Sequence, residues 1–538
     1  MPRPTTTLRL TVSLGLVLGF CAATAGVLPE ASVLAAPEQA ADPVAEWDTQ
    51  WERAIKDSAT DYRKLAEAFD KKLEATAAYT RRYILRYTPD DEEIRKFLGY
   101  AKAVQSDGTT KWERVDTRRD QINEMSDLDD PKATKYGKNL VDVNKKVVNR
   151  FKGLAKKATD NGAAKDASAA VKWPERAARA WEKVLELDDG TKDFDEAHKA
   201  LNHPKFEGKY CSPLKFKYVK ARADRKKLGE KEATAQIKPV DPVDPDGAFV
   251  AAGLTGGGAK SAHIVINCSY GKDVAMRLCG SVEKALNDLQ EVYGYPETFK
   301  ERLGLTKINA IKDVEEFKRL MDKGFGWKQA KITKYVDAGL TGVSDETGKG
   351  ERIQPSSGGQ QDADDACMAV ICSAASRAAQ SLARADVGSS SRDDVEDWLW
   401  ESIGYDVTKR VNGTANTIWG AFGRYGQAVE ARPGEDKWVE LARRLAESDD
   451  DVPLRLLYKK TIENKEIKGP ETVKGWAFIQ FIFEKDPERA KKFVWNALAA
   501  GTPTAAAAVY PDNEDSPDPE KSMEKLDTEY REWIRKAW

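Results

Sequence analysis

The sequence predicts an α+β chain that is mostly helical: a helical N-terminal region, a small mixed sheet, and a helical C-terminal part. Three observations carry this. Apolar residues recur at spacings of three and four in long stretches towards both ends of the chain. Compact β-type runs are confined to one central stretch, HIVINCS at 263–269 being the clearest. A run rich in proline and glycine, PVDPVDPDG and then GLTGGGAK, separates the two patterns. The chain has 538 residues, 41% apolar and 32% charged, which suits several domains with real cores and excludes a disordered chain. Lys and Arg number 86 against 88 Asp and Glu, so no net field points to nucleic acid, and no nucleic-acid partner is expected.

The first element is an export signal. Arg3 and Arg9 give a thin positive start, residues 10–27 are mostly apolar and small, and Val33-Leu34-Ala35 fits a cleavage pattern, with Ala23-Thr24-Ala25 as a second candidate. Residues 1–35 are therefore expected to be removed, leaving an exported protein, periplasmic or extracellular, with no membrane span in the mature chain. Five cysteines follow, Cys211, Cys268, Cys279, Cys367 and Cys372. They are too few and too scattered for a disulfide scaffold, and each is read as a small buried apolar residue.

Residues 44–228 form the expected helical region. One long helix is predicted over 44–86, with Trp47, Trp51, Ile55, Tyr62, Leu65, Phe69 and Leu73 on its apolar stripe. Thr88-Pro89-Asp90-Asp91 reads as a helix start, a further helix covers 137–157, and another begins at Trp173-Pro174. DDEEIRKFLGY (90–100) and DFDEAHKALNH (193–203) then match: Glu93, Lys96 and Leu98 stand 103 residues before Glu196, Lys199 and Leu201. Each copy is followed by a glycine and then by a Lys-aromatic pair, Lys111-Trp112 and Lys209-Tyr210. Two degenerate copies of this kind resemble the helix-pair logic of tetratricopeptide-like repeats.

Residues 229–262 are read as a flexible linker. GLTGGGAKS is a near miss for a phosphate-binding loop, because Ala259 separates Gly258 from Lys260. From 263 to 410 the pattern is α/β. Strands are predicted near 264–268, 307–311, 338–343 and 351–355 in one sheet, with helices over 272–293, 313–323, 363–384 and 392–409. Residues 411–538 are predicted to be a helical subdomain.

The chemistry-bearing stretch is 368–410, MAVICSAASRAAQSLARADVGSSSRDDVEDWLWESIGYDVTKR. An apolar-led helix is followed by a second helix carrying Trp398-Leu399-Trp400-Glu401, with both tryptophans read as core residues. With the strand and helix order before it, Glu315-Glu316-Phe317, and the C-terminal LDTEYREWIRK, the stretch 263–538 resembles the gluzincin (peptidase MA-like, thermolysin-like) zinc metallopeptidases, in an uncharacterised secreted bacterial branch. That family carries HExxH on the first helix, two imidazoles one turn apart with a general-base Glu, and a later Glu as third zinc ligand. The resemblance places Cys372 on the first His, Ser373 on the catalytic Glu, Ser376 on the second His and Glu401 on the third ligand. Three of the four positions have lost their chemistry.

The chain holds only three histidines, His198, His203 and His263, and no two are four apart. The resemblance thus implies a degenerate site with no zinc cofactor and no assigned catalytic residue. The expected function is binding of an unknown protein, peptide or polymer by a pseudopeptidase. The alternatives are a hydrolase rebuilt around Cys372 and Glu401, and a structural envelope protein.

Overall fold

Asp42 opens the first helix by accepting the backbone N–H of Val44, with Pro43 in the first turn. The computed structural model describes residues 42–104, 109–114, 131–164, 172–188, 191–234, 240–295, 306–337, 351–355, 397–412, 435–447, 451–462 and 469–537. The stretch expected to be a single helix over 44–86 is two helices, Pro43–Phe69 and Glu74–Leu85, folded back on each other. The turn is held by Asp70, which accepts both terminal nitrogens of Arg81 at 2.7 Å, while Leu73 is buried beneath it. Helix periodicity runs through such a turn unbroken, so only this pairing across eleven residues shows the reversal.

A second helical hairpin, Pro131–Ala163 with Trp173–Leu185, packs on the first. Trp47 and Trp51 stack at 5.3 Å, Phe151 meets Trp51 edge-on, and the Trp47 indole N–H donates to the Leu154 carbonyl at 3.0 Å. The apolar stripe read from 44–73 is thereby buried, mainly against this second hairpin.

Each hairpin leads into the same small unit. In the first, the helix Glu92–Phe97 ends at Gly99 and a β-hairpin follows, β1 (Tyr100–Val104) with β2 (Thr110–Arg114). In the second, the helix Asp195–Ala200 ends at Asn202, followed by β3 (Lys205–Phe206) with β4 (Lys209–Tyr210). Gly99 (φ 82°) and Asn202 (φ 55°) occupy equivalent positions, and both take the left-handed conformation that ends a helix. Lys102 pairs across the hairpin with Trp112 as Lys205 does with Tyr210, and each ammonium lies over its aromatic ring, at 5.0 and 4.4 Å. The two copies are thus a duplicated helix-and-hairpin unit. The expectation of nearly all helix before residue 229 is corrected by these four short strands. They are only two to five residues long, and cross-strand pairing, not local periodicity, defines them.

Residues read as linker also enter the sheet. The helix Pro213–Thr234 runs into that stretch; β5 (Asp241–Val243) pairs antiparallel with β6 (Gly257–Lys260), which pairs antiparallel with β7 (Ile264–Cys268). The glycines are explained by close approach of backbone. A Cβ on Gly256 would lie 2.0 Å from the Cys268 carbonyl oxygen, and one on Gly257 would lie 2.2 Å from the Lys272 nitrogen. The GGG run therefore seats β6 against the start of the next helix, a structural role needing no phosphate.

Among the described residues the main sheet continues from β7 to β8 (Thr306–Ile311) and β9 (Glu351–Pro355), both added in parallel. Three of the four predicted strands are present, and 338–343 lies outside the described residues. The helix Lys272–Tyr293 crosses from β7 to β8 and buries Leu278, Val282, Leu286 and Leu289; Val274 and Met276 are partly buried at its start. Ile264, Ile266, Cys268, Ile308 and Ala310 face the large core. On the other side Asn267 donates to Asn309 at 2.9 Å, in register across the parallel pair, and both are fully buried.

One hydrophobic cluster runs from Ala259 to Ala537, so the sheet and the C-terminal helices share a core across residue 410. The helix Pro213–Thr234 joins it: Leu214, Tyr218 and Leu228 pack there, and Arg222 donates to Glu484 at 2.7 and 2.9 Å. Cys211, Cys268 and Cys279 are buried free thiols, and burial pushes the last two up to about 11. No described helix is long and apolar enough to cross a membrane.

Candidate functional site

Of the positions singled out by resemblance, Cys372, Ser373 and Ser376 lie outside the described residues, as does the helix expected over 363–384. Glu401 lies on the helix Asp397–Asn412. Its neighbours Trp398, Leu399, Ser402 and Ile403 are buried, and Trp398 packs edge-on against Phe478 in the core. The same helix carries a heavily engaged carboxylate, Asp406, further on. Asp406 accepts Arg225, Gln480 and the Tyr293 hydroxyl, the last at 2.5 Å, and forms an ion pair with Arg410. Arg410 also donates to Asp288 at 2.8 and 2.9 Å. Burial alone would raise the Asp406 pKa, but Arg225 and Arg410 outweigh it and hold the carboxyl below the ordinary carboxylate range. Burial pushes Asp288 up despite Arg410. These ion pairs lock the helix bearing Glu401 onto Lys272–Tyr293 and Pro213–Thr234; every charge is matched, which marks a clamp and not an acid–base pair.

All three imidazoles of the chain are placed, and each is engaged. His263 contacts Glu283 at 3.0 Å, and Ser261 donates to the same carboxylate at 2.5 Å. His198 Nδ1 is hydrogen-bonded to His203 Nδ1 at 2.8 Å, and its Nε2 lies 2.9 Å from Asp188. The Tyr210 ring stacks parallel to His198. Burial lowers the His203 pKa, His198 lowers it further, and Asp188 offsets part of this. Folded His203 therefore takes a proton less readily than the unfolded chain does. Its contribution to stability is present above the unfolded value of about 6.5 and is lost as pH falls from there through the lowered folded value. The thermal midpoint of the wild type should drop over that window, while His203→Gln should show a flatter profile; identical profiles would remove His203 as the titrating group.

A concavity lies in the first copy of the duplicated unit. A cavity of about 650 Å³ is lined by Asp90, Arg95, Lys102, Thr110, Lys111 and Trp112. The Trp112 indole N–H reaches Asp90 at 3.3 Å, and Arg95 Nε donates to the Pro89 carbonyl at 2.8 Å with its guanidinium 5.0 Å over the Tyr100 ring. Glu92 accepts Lys102 at 3.0 Å and Lys96 at 2.8 Å; hydrogen bonds from Lys96 and Lys102 draw its pKa down to about 2. In the second copy the places of Arg95 and Tyr100 are taken by His198 and His203, which close on each other. Sequence reasoning found Lys111-Trp112 but missed Arg95 and Lys102. The signal was present: the same offset of 103 pairs Arg95 with His198, Tyr100 with His203 and Lys102 with Lys205.

Among the described residues no group of three or more His, Cys, Asp or Glu side chains is arranged to hold a metal ion. No family model, no curated protein and no solved structure matches the chain.

Proposed function

We propose that this is an exported binding protein whose C-terminal half resembles a zinc metallopeptidase and performs no peptidase chemistry. The observation that carries the reading is the engagement of every imidazole. His198 and His203 bond each other and Asp188, and His263 bonds Glu283, so none is left to complete a site beside Glu401. With Cys372, Ser373 and Ser376 at the motif positions, the site lacks both nitrogen ligands and the general base. The strand-helix-strand order from β7 to β9 and the LDTEYREWIRK helix support the gluzincin-like fold, and the paired helices of 43–185 support a tetratricopeptide-like origin for the first half. Binding of a protein, peptide or polymer is the role left to such a scaffold.

Elemental analysis of the purified chain should give zinc far below one atom per chain, and casein should remain uncut in the presence of added zinc. About one zinc per chain, with cleavage that a chelator stops, would overturn the proposal.

A further inference from the structure

The geometry points to a ligand site in the first helix-and-hairpin unit, separate from the peptidase-like region: the cavity beside Trp112 binds an acidic saccharide. Its uronate carboxylate is held by Arg95 and Lys111, its ring lies on the indole, and its hydroxyl groups donate to Asp90.

The cations are prepared for this. Arg95 is braced through Nε by the Pro89 carbonyl and from below by the Tyr100 ring, so its two terminal nitrogens keep a fixed direction. Among the described residues those nitrogens meet no carboxylate, and neither does the Lys111 ammonium. A guanidinium held in place with two free N–H edges is the group that takes a carboxylate in a fork. Lys102 differs, because Glu92 already neutralises it, and it serves to hold the indole through its contact with the ring.

The remaining wall selects the class of anion. Trp112 is half-buried and tied at its N–H to Asp90, so it offers a rigid apolar surface at little entropic cost. Asp90 is a carboxylate inside an otherwise cationic cavity. It repels a bare phosphate or a run of acidic side chains, and it favours a ligand that brings hydroxyl donors next to its own carboxylate. A sugar acid has that pattern of donors, ring face and charge.

The duplication supplies an internal comparison. The second unit keeps the lysine over an aromatic ring, Lys205 with Tyr210, but replaces the free guanidinium by an imidazole pair closed on itself. The carboxylate-binding function therefore belongs to the first unit alone.

The test is calorimetric titration of the full mature chain with trigalacturonate, neutral maltotriose, a short oligoglutamate and inorganic phosphate. Trigalacturonate should bind in preference to the other three, and raising sodium chloride from about 50 to about 500 mM should weaken it several-fold. Arg95→Gln and Trp112→Ala should each weaken it roughly tenfold or more, whereas Lys205→Gln in the second unit should leave it unchanged. Should either cavity variant misfold, Lys111→Gln on the exposed strand β2 should weaken binding with the far-ultraviolet spectrum preserved. Equal binding of maltotriose, tighter binding of oligoglutamate or phosphate, or indifference to Arg95→Gln would each overturn the assignment. None of these outcomes touches the absence of peptidase activity, which zinc content and casein cleavage decide separately.

Discussion

Lys474→Met is expected to lower the stability of the C-terminal core by roughly 3–5 kcal/mol at pH 7, the range seen when one partner of a buried ion pair is removed. Lys474 is fully buried on the helix Gly469–Lys485, between Asp451 at 2.5 Å and Asp527 at 3.0 Å, with the Tyr530 ring 3.7 Å from its ammonium. Asp527 also accepts the Leu454 N–H at 2.7 Å, so it cannot turn to water without losing a helix start. Burial already pushes the Asp527 carboxyl up, with Lys474 opposing this and Asp451 adding to it. Removing the cation leaves two carboxylates in apolar surroundings, and among the described residues Arg531, 3.4 Å from Asp451, is the ion-pair partner left to offset them.

The sign of the pH dependence follows. In the variant the folded carboxyl pKa rises above its unfolded value near 4, so the penalty is full at neutral pH and shrinks as acid protonates the pair. Urea unfolding at pH 7 and at pH 5 measures both quantities. A deficit below about 1 kcal/mol at pH 7, or one that does not shrink at pH 5, would mean that the lysine is not holding two charged groups.

Gly257→Ala should have an effect of comparable size by a different route. A Cβ at 257 would lie 2.2 Å from the Lys272 nitrogen, 2.3 Å from its Cα and 2.7 Å from the Gly271 carbonyl carbon. All three atoms are backbone, at the start of the helix that crosses the sheet, so no side chain can swing aside. Relief requires β6 to lift from β7 or the helix to shift, a loss of roughly 3 kcal/mol or more. Gly153 provides the control. It lies inside the helix Pro131–Ala163, where an added Cβ meets nothing within 4 Å, and Gly153→Ala should raise stability by about 0.5–1 kcal/mol. Equal and small shifts for the two variants would refute the close approach at 257.

The buried clamp at Asp406 belongs to the same class as Lys474, and its placement bears on how the molecule is divided. Arg225 comes from the helix Pro213–Thr234, which precedes the sheet in sequence, and it reaches a carboxylate near the centre of the C-terminal core. Arg86 and Tyr79 of the first helical hairpin both contact Glu447 of the helix Glu435–Glu447. The N-terminal helices are thus joined to the rest by specific polar contacts as well as by the chain.

What the sequence alone determined was local and periodic. The helix Lys272–Tyr293 was legible because apolar residues return along it at intervals of three and four. The strands near 264–268, 307–311 and 351–355 were legible as short β-type runs. That positions 372, 373 and 376 carry Cys, Ser and Ser, with no imidazole or carboxylate among them, was legible because it needs no geometry. The tertiary structure alone decided the rest. A turn at residues 70–73 depends on an arginine eleven residues away. The strands β5 and β6 carry proline and glycine, which local propensity scores as linker; they are strands through antiparallel pairing with each other and with β7, and at Gly257 and Gly258 the neighbouring backbone leaves no room for a Cβ. Arg95, Lys102, Trp112 and Asp90 form one cavity only after a left-handed glycine turns the chain into a hairpin. Side chains separated along the chain acquire a joint chemistry through closure, and the free energy of closure resides in pairings that no single window of sequence contains.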